Sequence, residues 1–558
     1  MAGSAGRGRP AHGDPARGPA QGDPPRGPAQ GDPPRWAAHG DPPPGPAPGG
    51  PARRPSHGNQ ARRPAHGDPA RRAVCDVLLA VAKRDAYANL LLPSILRERQ
   101  LTGRDAALAT ELCYGTLRGQ GTYDAILAVC SDRRVTRMDP PVREVLRMGV
   151  HQLLATRVAA HAAVATSVDL AKDVAGMRTA GFVNAVLRRV SMRDLEAWMT
   201  VVAPDRQADP AGYLAARHSY PRWIVAAFSE ALGEAPGSDL AETEAALAAG
   251  NVGPRVTLCA IPGVCDPAEL AAAAPGEPAR WSPFGVYLTE GDPAAIAALR
   301  ERRAAVQDEA SQLAALALTR AEVSASGRPR SVGPGSGELG FARRGSGESG
   351  SGVPGSSELW LDMCAGPGGK AGLLAGLAAG RGARLLAADA RERRAGMARD
   401  AVAGPGLTAA AGTAPGTVVA DGTKPAWRRG VFDRVLADVP CCGLGSLRRR
   451  PEARWRRSPG QVAELAQLQR SLLATALDSV RPGGVVGYVT CSPHLAETRE
   501  VLADVLAGRQ DISVIDAPAL LPEVPAVASP APYGSYVQFW PHRHGTDAIF
   551  LALLRKEG

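Results

Sequence analysis

Five short apolar runs in the second half of the chain constrain its fold more than any other feature: Leu359 to Met363, Arg384 to Ala388, Thr417 to Ala420, Val431 to Ala437 and Val485 to Thr490. Helical stretches separate most of them, and that alternation is the signature of a doubly wound parallel sheet. Each run delivers a polar or reactive residue at or near its carboxyl end, in order Asp362, Asp389, Asp421, Asp438 and Cys491. Ligands of open α/β sheets bind beyond the carboxyl ends of the strands, so these five residues are expected around one site.

The rest of the chain is organised differently. Residues 1–70 repeat at a nine-residue period, with HGDP at His12, His39 and His66 and QGDP at Gln21 and Gln30. Pro and Gly dominate the unit and nothing in it packs, so this tail is expected to be disordered; the GGxGxD pattern of a calcium-binding solenoid is missing. Residues 71–205 read as an all-α bundle. Tyr123, Ile126, Leu127 and Cys130 recur at helical spacing, as do Val142, Val145, Leu146, Val150, Leu153 and Leu154, and Phe182, Val183, Val186, Leu187 and Val190. Arg188 and Arg189 read as a solvated, dipole-matched helix end with an RNA contact as the alternative. Residues 206–300 form a connecting subdomain and 301–558 the α/β domain. The stretch 324–357, in which 22 of 34 residues are Ser, Gly or Pro, is expected to be a flexible insertion, and Ala401 to Gly416 a shorter one.

Charge and cysteine usage bound the function. The formal charge is +10, from 65 basic and 55 acidic residues, but the first 72 residues alone hold 11 Arg and 5 Asp, leaving only +4 for the remainder. That excess is weak evidence for a polyanion partner. Nine Cys without a CxxC pair suggest neither a disulfide framework nor a zinc site, which points to a reducing cytoplasm. No apolar run reaches the about 18 residues of a membrane span, and no signal peptide is evident. Five Lys stand among the 65 basic residues, which singles out Lys370.

The chemistry concentrates after the strands. Asp362 is followed within two residues by CAGPGGK, Cys364, Ala365, Gly366, Pro367, Gly368, Gly369 and Lys370, a loop suited to close backbone approach of a ligand at a helix N-terminus. It is not a Walker loop, which would need Gly at Cys364 and Ser or Thr at Ala371. An acid 27 residues after Asp362, Asp389, suits ribose hydroxyls, so an adenosine-containing cofactor is expected, either NAD or S-adenosylmethionine. The thiols choose between them. Asp438 precedes Pro440, Cys441 and Cys442, and Thr490 precedes Cys491, so Cys441 and Cys491 would share one crevice if their strands are neighbours. Two thiols beside a methyl donor fit methylation of cytosine C5: a thiolate adding at C6 activates C5, a second group removes the C5 proton so that the thiolate can leave, and Asp438 steadies or protonates the pyrimidine edge during attack. Cys75, Cys113, Cys130, Cys259 and Cys265 read as small buried hydrophobes.

LDMCAGPGGK, ADVPCCGLGSLRRRPEARW and YVTCS resemble the cofactor loop, Pro-Cys motif and Thr-Cys motif of RNA cytosine-5 methyltransferases of the NOL/NOP/Sun superfamily. With ELCYGTLR and GFVNAVLRRV, which resemble a NusB-like domain, the chain is identified as a member of the RsmB (Sun/Fmu) family, which methylates 16S ribosomal RNA. The resemblance implies a Rossmann-like catalytic domain, Cys364 to Lys370 wrapped around the methionine portion of S-adenosylmethionine, ribose contact by Asp389, adenine contact by Asp421, and Asp438 at the methyl-transfer site. It implies Cys491 as nucleophile and Cys441 as the residue assisting release, the DNA enzymes using the Pro-Cys thiol instead. Cys442 departs from the Ser common in the family. Arg448, Arg449, Arg450, Arg454 and Trp455, beside the Pro-Cys loop, are expected to contact RNA phosphates and bases. His494 is a candidate to lower the thiol pKa. His542, His544 and Asp547 make an incomplete ligand set, and no metal is expected. The expected partner is ribosomal RNA, without a membrane, and the chain is expected to act as a monomer. Transfer RNA as substrate, or an RNA-binding factor with a vestigial catalytic domain, are the alternatives.

Overall fold

The computed structural model describes residues 68–235, 237–324, 358–404, 407 and 414–558. The repeat tail up to residue 67, residues 325–357 of the insertion and nearly all of 405–413 lie outside the described residues.

Helix α1 (Pro69–Arg84) begins where Asp68 caps it, its carboxylate accepting from the Ala70 and Arg71 N–H groups at 3.0 and 3.2 Å, with Pro69 in the first turn where its missing N–H costs nothing. Six more helices follow: α2 (Ala88–Glu98), α3 (Gly103–Arg118), α4 (Gln120–Cys130), α5 (Pro140–Ala155), α6 (Ala160–Ala175) and α7 (Ala180–Val190). The stripes read from sequence meet in one core: Ile126 and Leu127, Val145 and Leu146, and Val183 and Leu187 are all buried there, with Phe182, Leu153 and Leu154 at its edge. Each such side chain stabilises the bundle by about 1.5–3 kcal/mol.

Four helices between Leu195 and Ala249 lead to a small antiparallel sheet built of β1 (Thr257–Ala260), β2 (Gly276–Pro278), β3 (Gly285–Leu288) and β4 (Ala304–Val306), in the order β2-β3-β1-β4. Two residues beyond β4, Asp308 caps the helix Glu309–Arg320, which is buried along most of its length.

The large sheet comprises β5 (Leu359–Asp362), β6 (Arg384–Asp389), β7 (Gly416–Val419), β8 (Phe432–Asp438), β9 (Val480–Thr490), β10 (Ile512–Ile515), β11 (Val537–Gln538) and β12 (Phe550–Lys556). Its order is β10-β12-β9-β8-β5-β6-β7, with β11 pairing to β12. The five strands read from sequence are parallel neighbours, β9 starting earlier, at Val480. The expected parallel sheet is formed by these five strands, and β12, antiparallel to both β9 and β10, makes the whole sheet mixed. The apolar run FLALLRK enters from a reversing loop at residues 541–549 without a crossover helix, which gives it the opposite direction. The strand order reverses at β5, between β6 and β8, and this switch point opens the crevice that holds the site.

Candidate active site

The glycine loop after β5 is shaped by what surrounds it. A Cβ on Gly366 would lie 2.5 Å from Arg394 Cβ and 2.7 Å from Asp389 Oδ2, and Gly368 adopts φ +111°, where a side chain is strained. The Gly366 N–H donates to Asp389 Oδ2 at 3.1 Å, Arg391 N–H donates to Oδ1 at 3.0 Å, and Arg394 Nε pairs with Oδ2 at 3.2 Å while its guanidinium also meets the Gly366 carbonyl. Asp389, buried at the end of β6, thereby ties the loop to the neighbouring strand. Asp421 lies exposed and caps its own turn, accepting from the Thr423 N–H and hydroxyl. Cys364 is partly exposed beside the same strand ends.

Two groups in this region are buried without side-chain partners. The carboxyl of Asp362, fully buried at the end of β5, has no side-chain hydrogen bond among the described residues and only the Cys364 N–H close by. Burial first, then repulsion from Asp438, pushes its carboxyl up to about 8. The Gln307 carboxamide, 7% exposed, is likewise unpaired. A cradle that only glycine permits, an acid gripping it from β6 and orphaned polar groups beside it fit an adenosine-type cofactor.

Across the crevice, β8 and β9 bring the thiols together. The Cys441 and Cys491 sulfurs stand 2.9 Å apart. Cys441 is 1% exposed and Cys491 partly exposed. Lys370, reaching from the helix after the glycine loop, pairs with Asp438 Oδ2 at 2.9 Å. Burial opposes its charge, but Asp438 outweighs that and holds the ammonium above its ordinary value. The hydrogen bond from Cys441, against burial and with help from Lys370, lowers the Cys491 thiol; the same bond and burial raise Cys441. Asp438 opposes the charge on Cys491 and Lys370 supports it, while Glu497 and Cys442 oppose a charge on Cys441, so of the two thiols the more exposed Cys491 is the one held below its ordinary value.

Sequence reasoning missed the bracket beneath these thiols. Glu497 is fully buried in the turn after β9; it accepts from the Cys442 N–H at 2.7 Å and the Cys442 thiol at 2.6 Å. Gln469 donates to the Pro440 carbonyl at 2.8 Å and to Glu497 at 3.1 Å. The two cysteine loops are thus clamped to each other. Arg394 and Gln307 were missed as well; Arg394 stands five residues after Asp389, at a spacing that could have marked it. His494 does not reach the thiols through Nδ1, which caps the turn by accepting from the Ala496 N–H at 3.1 Å.

The arginine-rich loop corrects another expectation. Arg448 and Arg449 are both paired with Asp308 and Asp547, Arg448 at 2.8 and 2.5 Å and Arg449 at 2.6 and 2.9 Å. Arg454 is fully buried, donating to the carbonyls of Arg118, Ser219 and Gly250 and to the Tyr220 hydroxyl. Guanidiniums consumed inside the protein do not meet phosphate, so these three are structural. Arg450 lies over the Tyr87 ring at 5.1 Å, and Trp455, 39% exposed, packs its ring on Gly121. In the bundle, Arg189 donates to the Cys130 carbonyl and Arg188 to Asn184. His542 pairs with Glu242 and His544 bonds the Trp540 N–H. Among the described residues no group of three or more His, Cys, Asp or Glu is arranged to hold a metal, and no helix is long and apolar enough to cross a membrane.

Comparison with known proteins converges on one family. The family model described as 16S rRNA methyltransferase RsmB/F matches residues 353–555, and the NusB family model matches 68–192. A putative methyltransferase of Mycobacterium tuberculosis is 46% identical over 484 residues, covering 87% of this chain and 96% of that protein. A probable ribosomal RNA small subunit methyltransferase B of Bacillus subtilis is 28% identical over 491 residues, covering 87% and 98%. The crystal structure of PH0851 shares the fold, with a TM-score of 0.67 at 20% identity, over 89% of this chain and all of that one. The helical bundle is therefore a NusB domain, the large mixed sheet is a Rossmann-like methyltransferase domain, and the chain belongs to the RsmB/F family of ribosomal RNA methyltransferases.

Proposed function

We propose that the chain methylates C5 of a cytosine in 16S ribosomal RNA, with S-adenosylmethionine as methyl donor and a transient bond from Cys491 to C6. The observation that carries this reading is the pair of sulfurs 2.9 Å apart beside the Lys370–Asp438 ion pair. C5 of cytosine is a poor nucleophile until a thiolate adds at C6, and the arrangement supplies that thiolate. The cofactor, when bound by the glycine loop with Asp389 and Asp421, supplies a methyl group activated by a sulfonium.

The chain's own residues divide the remaining work. Cys491, partly exposed and favoured as thiolate by Cys441 and Lys370, attacks C6. Asp438, oriented by Lys370, grips the pyrimidine edge during attack. A solvent base takes the C5 proton, the C5–H electron pair restores the C5–C6 double bond, and the C6–S pair leaves with Cys491, whose thiolate regains the Cys441 hydrogen bond that stabilises it. The target base must leave its stack to reach so recessed a pair, and Arg450 and Trp455 remain the candidate RNA contacts on this side. The family model and the names of the relatives support the small-subunit target.

The test is incubation of the purified chain with labelled cofactor and, separately, small-subunit ribosomal RNA and transfer RNA, followed by bisulfite mapping. Label at one ribosomal cytosine is expected. Label in transfer RNA overturns the substrate, and absence of label in both overturns the activity.

A further inference from the structure

Gln307 stands between β4 and the helix cap Asp308, and its main chain is fully engaged. Its N–H donates to the Thr257 carbonyl at 2.9 Å, and its carbonyl accepts from Gln312 Nε2 at 3.1 Å. Its side chain is 93% shielded from solvent, yet neither Oε1 nor Nε2 has a hydrogen-bond partner among the described residues. A buried amide left unpaired costs about 1–3 kcal/mol, a cost that a leucine of similar volume would not carry. Residues that break a local rule in this way concentrate where a ligand restores it.

The direction of the carboxamide says which ligand. A Cβ on Gly369 would lie 3.8 Å from both Cδ and Nε2 of Gln307, so the amide faces the turn that opens the helix Gly369–Ala379. The backbone N–H groups of a helix start favour an anion. The orphaned Asp362 carboxyl stands at the beginning of the same loop. A carboxamide can donate to a carboxylate and accept from an ammonium, and the amino-acid end of the sulfonium cofactor presents both. The glycine loop holds the methionine end from one side, and Gln307, just past the last strand of the small sheet, faces the same turn from the other.

We infer that Gln307 is a cofactor-binding residue whose carboxamide hydrogen-bonds the α-carboxylate and α-ammonium of S-adenosylmethionine, so that the small sheet, through β4, closes one side of the cofactor cleft. The inference rests on the reading of the glycine loop as the cofactor cradle.

Two ligands separate the possibilities. S-adenosylhomocysteine carries the amino-acid group; 5′-methylthioadenosine keeps the adenosine and sulfur and lacks it. Titration calorimetry on the full chain should give about tenfold weaker binding of S-adenosylhomocysteine to Gln307→Leu, with 5′-methylthioadenosine binding unchanged. The unliganded Gln307→Leu variant should melt at or above the wild-type temperature, since an unpaired buried amide has been removed. Gln307→Glu, which sets a carboxylate against the ligand's carboxylate, should lose more of S-adenosylhomocysteine binding and still spare 5′-methylthioadenosine. Equal weakening of both ligands, unchanged S-adenosylhomocysteine binding, or a lowered melting temperature in Gln307→Leu would make Gln307 a packing residue and overturn the inference. A wild-type chain that binds neither ligand overturns the cradle reading itself.

Discussion

The guanidinium of Arg454 lies 3.7 Å from the centroid of the Tyr220 ring and donates to its hydroxyl at 2.8 Å. Burial lowers this guanidinium to about 10, yet it stays charged at neutral pH and satisfies three carbonyls contributed by the NusB domain and the connecting helices. Arg454→Ala would orphan those acceptors, and a loss of about 3–5 kcal/mol is expected. Urea denaturation should show it, while the salt dependence of RNA binding should stay as in the wild type, because no phosphate contact is removed.

The two thiols are distinguished by what each variant leaves behind. Cys491→Ala is expected to abolish both turnover and covalent protein–RNA adducts. Cys441→Ala, which removes the hydrogen bond that stabilises the departing thiolate, is expected to accumulate an adduct stable to denaturing electrophoresis. Adduct in the Cys491 variant instead would reverse the assignment.

Lys370 helps hold the Cys491 thiol below its ordinary value. In Lys370→Met that pKa should rise, so the thiolate forms only at higher pH. Mass-spectrometric measurement of Cys491 alkylation against pH should show the rising limb displaced upward, by about one pH unit or more. An unmoved limb would remove the lysine from the activation of this thiol.

Asp362 predicts the pH dependence of the unliganded fold. Its folded pKa, about 8, lies above the ordinary 3.8, so between those values the folded chain holds a proton that the unfolded chain has lost. This contribution to stability is complete below about pH 4, falls as pH rises, and is exhausted above about pH 8, with a slope of at most about 1.4 kcal/mol per pH unit. Asp362→Asn should abolish that slope and be more stable than the wild type at about pH 9. Urea denaturation at several pH values compares the two.

The parallel half of the sheet and the convergence of Cys441 on Cys491 were legible because each strand is a short apolar run ending in a reactive residue. β12 was not, because nothing in FLALLRK says that its direction is reversed. The arginine-rich loop misled for a physical reason: a run of like charges reads as a solvated face, while Asp308, 140 residues before Arg448, and Asp547, almost 100 residues after it, neutralise it from afar. Glu497 and Gln469 carried no signal of their own, since an acid in a turn and an amide in a helix acquire meaning only when the fold folds them against Pro440 and Cys442. Gln307 was hidden likewise, since only the fold brings the end of the small sheet against the glycines that start the helix at Gly369.

Because β12 follows β10 in the chain yet lies between β10 and β9, a ribosome making this protein exposes both of those strands before it delivers the one that separates them. Phe550 pairs with Thr490, the residue immediately before the reactive thiol. Until that segment is synthesised, the strand that ends at Thr490 presents an unpaired edge, open to pairing with neighbouring chains on the same messenger.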